Sequence, residues 1–149
     1  MEQPEGPKTE RVLGFFVYPM PVIAVAPAAR GQAEIQIEAS TDFWWIKSAY
    51  IADNAGAAQT DATRIVPNVD VQLTSTGSDR SLSQDFTPIS SWFGSQGLPF
   101  VLPLAQLITA NSILRANIIS REAALTLNIR LLFIGWKDYG EMRAAALAR

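Results

Sequence analysis

The chain offers chemistry fourteen Asp and Glu, twelve Lys and Arg, and neither His nor Cys. A Ser-His-Asp triad, a thiolate nucleophile and the usual His/Cys zinc sites are therefore excluded, and no side chain has an unperturbed pKa near neutrality. Acid and base roles would fall to carboxylates alone, as in glycosidases, which hold two of them roughly 5–10 Å apart. Glu34 and Glu38 share one face of the strand-like stretch AEIQIEA, but four residues of strand separate them by about 13 Å. That spacing describes a solvated face, not a coupled dyad. Asp53 and Asp61 bracket DNAGAAQTD, a loop with oxygens enough for calcium but without EF-hand spacing, so an ordinary polar loop is the simpler reading. Neither glycine motif for phosphate, G-x-G-x-x-G or G-x-x-x-x-G-K-[ST], is present. No catalytic, metal-binding or cofactor-binding residue is assigned, and no cofactor is implied.

The aromatic residues are the other candidates. Trp44, Trp45 and Tyr50 would stack bases if Lys47 and Arg64 held a nucleic-acid backbone, but a net charge of −2 and a pI near 5.1 provide no electrostatic pull. Aromatic core or protein interface is the reading kept, since Trp and Tyr are favoured interface anchors. Trp44, Trp45, Tyr50, Trp92, Phe93, Trp136, Tyr139 and Arg143 are the interface candidates. Arg115, Arg121 and Arg130 belong to solvated faces or pair with acids of a neighbouring subunit. Nine of the twelve cations are Arg, which suits fixed bidentate pairing at interfaces, though codon bias explains it equally well. Two other classes remain open: a carbohydrate-binding module stacking sugars on Trp44, Trp45 or Trp92, and a carboxylate-only hydrolase.

The elements that must position these residues are strands. At 149 residues and 48% hydrophobic content, with nine Pro and nine Gly, the chain suits one all-β domain with a substantial core. The charged, Pro-containing MEQPEGPKT predicts an arm over 1–9, flexible or docked on a partner. VLGFFVYPMPVIAVAPA is apolar, but three prolines interrupt it and the preceding residues are not net basic. It is expected to form an edge strand or strap, not a signal peptide or membrane span. Ile35 and Ile37 alternate with Glu34, Gln36 and Glu38. Phe43, Trp45, Lys47 and Ala49 alternate with Trp44, Ile46, Ser48 and Tyr50, and Val69, Val71 and Leu73 with Asp70, Gln72 and Thr74. TGSDRSLS is a turn, and DFTPISSWFGSQGLPFVLP a long structured crossing. SILRANIIS and LTLNIRLLFIGW follow, joined at REAA, with Leu125, Leu127, Ile129, Leu131 and Phe133 on one face. EMRAAALAR predicts a short helical tail within 140–149. Seven or eight strands without a βαβ rhythm predict a single antiparallel β-sandwich or jelly roll over 10–139.

The C-terminal half, DRSLSQDFTPISSWFGSQGLPFVLPLAQLITANSILRANIISREAALTLNIRLLFIGWKDYG, resembles small virion proteins of tailed bacteriophages. Their pattern runs through a "GSGR.L" turn, an "FG…PF.LP" crossing, a "P.NS.L…N" strand and a closing "L.F.G.K.Y". Here these stand as Gly77-Ser78-Asp79-Arg80, as Phe93-Gly94 with Pro99-Phe100 and Leu102-Pro103, as Ala110-Asn111-Ser112, and as Phe133 to Tyr139. The strand opening at Thr41 to Trp44 fits too, so the resemblance covers roughly residues 11 to 140; Ala110 departs from it where a Pro is usual. It implies a non-enzymatic, jelly-roll-like virion subunit assembled in the host cytoplasm. Capsid cement or decoration is the first expectation, and a head–tail junction, collar or fibre anchor the next. The partners implied are the major capsid protein or portal and head–tail proteins, together with copies of the chain itself. Nucleic acid and membrane are not among them.

Overall fold

The computed structural model describes residues 9–54, 64–77, 80–95 and 97–143. Strands β1 (Thr9–Pro19), β2 (Ile23–Val25), β3 (Arg30–Gln36), β4 (Asp42–Asn54) and β5 (Val69–Ser75) make up the first half. The second half holds β6 (Arg80–Ser81), β7 (Thr87–Pro88), a 3-10 turn at Ile89–Ser91, β8 (Phe100–Ile108), β9 (Ile113–Ser120) and β10 (Leu127–Arg143). All pairings between these strands are antiparallel, and they build two sheets. One runs β1-β10-β4-β8, with β2 continuing beside β10 where β1 stops; the other runs β3-β9-β5-β6, with β7 also on β5.

The facing sides supply one apolar core. Phe43, Trp45, Ile129 and Phe133 from the larger sheet meet Val71, Leu73, Leu114 and Ile118 from the smaller, and none of them is more than 1% exposed. Alternation with period two delivers these side chains inward, and their removal from water is the main force joining the sheets. Edge-to-face rings at the centre, Trp45 on Phe133 at 5.1 Å and Phe93 on Phe133 at 5.6 Å, fix the packing. The result is the all-β, sandwich-like arrangement that the alternation predicts.

Turn chemistry moves the chain between sheets. The Ala29 amide donates to the Ala26 carbonyl at 3.1 Å across Pro27 and Ala28, and Ala28 takes φ 56°. Proline followed by a left-handed residue is a type II turn, which carries the chain from β2 to β3. Asn111, at φ 65°, plays the left-handed part between β8 and β9. The long crossing after β7 is pinned to β4: the Gly94 amide donates to the Ser48 carbonyl at 3.1 Å, and Gly94 accepts from the Tyr50 amide at 2.8 Å.

Several expectations are corrected. There are ten strands among the described residues, two of them only two residues long. Glu141 to Arg143 are strand, not the start of a helical tail, because β1 provides pairing partners at Thr9, Glu10 and Arg11. A lone nine-residue helix is marginal and cannot compete with an available ladder. Residues 144–149 of that tail, and residues 1–8 of the arm, lie outside the described residues; Thr9 already belongs to β1. Leu125 is exposed and precedes β10. The strands flanking REAA lie in different sheets. Within β4, strict alternation fails: Lys47 is exposed, while Ser48 is buried and paired with inward Phe133.

Candidate functional site

That failure organises the site. On β10, Ile134 pairs with Lys47 and Gly135 with Trp45, leaving Ile46 as one extra residue in β4. Such a β-bulge switches the side-chain parity. Trp44 and Lys47, three residues apart, would face opposite ways in a regular strand; the bulge turns both outward. Gly135 is its counterpart, since an added Cβ there would collide with the Trp44 carbonyl. Strand β8 answers with a larger irregularity, pairing Gln106 with Trp45 but Val101 with Lys47.

The strand register then lines up a row across the outer face of the larger sheet: Phe15 beside Trp136, Trp136 beside Trp44, and Trp44 beside Leu107. The next row is Val17, Ile134, Lys47 and Val101; the third is Pro19, Leu132 and Ala49, bridged to Gly94. Trp44 and Trp136 stack with centroids 6.4 Å apart and planes at 28°. Phe15 is 77% exposed, Val101 61% and Leu107 45%. Four strands and three rows span roughly 19 by 20 Å, about 400 Å² before side-chain relief. Apart from Lys47 and the buried Ala49 the rows are apolar, and exposed patches of this order are often functional surfaces.

The opposite outer face is built differently. Rows on β3, β9 and β5 read Glu34, Arg115, Thr74 and Gln32, Asn117, Gln72. Arg115 donates to Glu34 at 2.6 Å, and Arg121 to Asp70 at 2.9 Å. These arginines thus have acidic partners within the chain. Exposed pairs of this kind solvate a face and add little stability. The two sheets share a core but differ in what they show to solvent.

Beneath the apolar row, Lys137 locks the β1-β10 register. It is 3% exposed, 2.7 Å from Glu38 Oε2 and 3.7 Å from the Phe16 ring centroid. Burial alone would lower its pKa, but hydrogen bonding and charge from Glu38 and Tyr18 outweigh that and hold it above the ordinary lysine value.

The interface candidates are dispersed by this geometry. Trp44 and Trp136 meet on the outer face, half-buried. Trp45 and Phe93 are core side chains at 0% and 1% exposure, and cannot touch a partner in this conformation. Trp92 is half-buried, stacked on Trp45 at 5.9 Å, with its indole N–H donated to Thr87 Oγ1 at 2.8 Å. Tyr50 packs against the core and lines a cavity of about 280 Å³ with Ile65 and Val66. Tyr139, 44% exposed, lies over Gly14. Arg143 is the last residue of β10. Trp44, Trp45 and Trp92 therefore do not form one sugar platform.

The sequence singles out none of Phe15, Val101 and Leu107, and Lys47 only as a contact for a nucleic-acid backbone. The signal for Lys47 was Gly135 inside an otherwise regular strand pattern, which marks a bulge or close backbone approach. Among the described residues no group of three His, Cys, Asp or Glu is placed to hold a metal ion, and no helix is long and apolar enough to cross a membrane. The arrangement defines a two-sheet antiparallel domain with one apolar outer face. No family model, curated protein or solved structure matches the chain.

Proposed function

We propose that this protein is a non-enzymatic structural component of a tailed-bacteriophage virion, a capsid cement or decoration protein that stabilises the head by binding neighbouring capsid subunits. The observation that carries the structural role is the apolar outer face of β1-β10-β4-β8, set against the ion-paired outer face of the other sheet. A face of this kind is suited to docking on protein, and docking needs no titrating catalyst. The virion setting rests on the motif resemblance between residues 11 and 140.

We also read the fold as a jelly roll. Counting β1 with β2 as one strand, and β6 with β7 as another, the two sheets run first-eighth-third-sixth and second-seventh-fourth-fifth. This is the order expected when an eight-stranded jelly roll wraps a double Greek key into two sheets. The order supports the reading independently of the motifs.

Cryo-electron microscopy of virions from the encoding phage tests the proposal. Many copies between capsomers are expected. One ring at a single vertex would reassign the chain to the head–tail junction, collar or fibre anchor, and virions without the chain would overturn the virion reading.

A further inference from the structure

The outer face of the smaller sheet holds a cavity of about 520 Å³, within the range of small-molecule sites. Its floor is a row of three carboxamides: Gln32, Asn117 and Gln72 stand side by side on β3, β9 and β5, across two strand spacings or roughly 10 Å. Phe86 walls one end. It precedes β7, where Thr87 pairs with Val71 and Pro88 with Asp70, a register that carries Phe86 to the side of Gln72. From the other end Arg30 reaches over the row, its guanidinium carbon 5.9 Å from the Phe86 ring centroid. Asn117, on the strand between, is half-buried, and its carboxamide makes no hydrogen bond among the described residues. Gln32 donates one N–H to Glu34 at 3.0 Å and Gln72 one to Ser81 at 3.3 Å, which leaves both carbonyl oxygens for a ligand.

We infer that this cleft binds a saccharide unit carrying one carboxylate, of the uronic or sialic acid class. A carboxamide sets donor and acceptor side by side, which matches the neighbouring hydroxyls of a sugar ring, each of them donor and acceptor at once. Phe86 adds an apolar surface for the C–H face of such a ring. The charge of the ligand follows from Arg30. The acids around it are engaged: Glu34 by Arg115, Asp70 by Arg121, and Asp85 by the Phe86 amide at 2.7 Å. Arg30 has no ion-pair partner among the described residues, and its planar fork takes a carboxylate through two parallel hydrogen bonds. A polyanion fits poorly, because one unpaired guanidinium on a chain of net charge −2 gives no run of cations for repeated phosphates or sulfates. A peptide strand would add to a sheet edge, whereas this cleft lies across the strands in the middle of a face. An apolar ligand would leave three carboxamides desolvated and unpaired. The cleft is independent of the docking reading above: it lies on the other sheet, and a chain docked through its apolar face would keep it open to solution.

The test applies the purified chain to an array of neutral and acidic glycans, each acidic glycan printed beside its carboxyl methyl ester. Saturable binding to at least one carboxylated glycan is expected, weakened roughly tenfold or more by esterification. Titrating that glycan into isotopically labelled protein should move the side-chain amide signals of Gln32, Gln72 and Asn117. Arg30→Gln should lower affinity for the acid to the level of the ester, and Asn117→Ala should lower affinity for both, each with an unchanged melting temperature. Absence of saturable binding, equal affinity for acid and ester, or binding that survives both substitutions overturns the inference. So does an oligonucleotide, dextran sulfate or a glutamate-rich peptide bound as tightly as the best glycan. The isolated chain is the reagent throughout, so none of these results bears on the virion reading, and virions without the chain would leave the saccharide site standing.

Discussion

Lys137 is an inward-facing lysine on the central strand of the larger sheet, 3% exposed, and its position makes stability depend on alkaline pH. Its pKa stands above the ordinary 10.5, because Glu38 and Tyr18 favour the ammonium by more than burial opposes it. A group whose pKa is higher folded than unfolded contributes its full stability below the unfolded value, and loses it as pH rises through the folded one. The loss therefore begins near pH 10.5 and continues above it. Lys137→Met keeps the chain length over the Phe16 ring and releases Glu38, 57% exposed, to water. At neutral pH that exchange should change stability by less than about 1 kcal/mol, since replacing a buried pair by an apolar side chain is often neutral. Chemical denaturation from pH 8 to about 11.5 should show a shallower alkaline decline in the variant. Parallel declines would remove Lys137 as the source.

The β4 bulge with its Gly135 counterpart is what turns these strands into a docking face. A Cβ at position 135 would strike the Trp44 carbonyl and come within 3.2 Å of the Phe43 ring. Backbone cannot yield as a flexible side chain can, so Gly135→Ala should cost about 3 kcal/mol. Gly14→Ala meets only the Tyr139 ring, at 2.8 Å, and should cost less because that half-exposed side chain can swing aside. Thermal unfolding of both variants checks the order, and equal losses would mean the bulge is not rigid. The same feature sets what was legible in the sequence. Alternation alone locates Val69, Val71 and Leu73 of β5 and Leu127, Ile129, Leu131 and Phe133 of β10, because a face buried on one side obeys period two; it does not reach Gly135 and Lys137, and it adds the exposed Leu125. It misassigned Lys47, because a single inserted residue reverses every side chain beyond it and leaves no trace in local hydrophobicity. The end of β10 was misread for a related reason: the helix propensity of EMRAAALAR is local information, whereas its partner β1 lies more than a hundred residues away.

Taken whole, the molecule has two outer faces of opposite character on one core, and that asymmetry could not be read from any single strand. Phe15, Trp136, Trp44 and Leu107 come from four separate stretches of sequence, and only the order β1-β10-β4-β8 makes them neighbours. The tryptophans were legible as residues; their separation into a core member, Trp45, and a surface pair, Trp44 with Trp136, required the fold. An apolar surface held for docking contributes little to the stability of the isolated chain, because its side chains stay in contact with water until a partner arrives. Phe15→Ser combined with Leu107→Ser should therefore leave unfolding free energy within about 0.5 kcal/mol of the parent. The same pair should lower binding of an apolar fluorescent dye to the native protein severalfold, because such dyes report exposed hydrophobic surface. It should also abolish recovery in native assemblies. Gln32→Ala with Gln72→Ala on the opposite sheet, where both lie beside Asn117, should change neither. If the Ser pair instead unfolds the protein while dye binding to the parent is absent, the rows belong to the stability of the domain and the docking surface lies elsewhere. If dye binding falls and assembly persists, the face is apolar without being the contact.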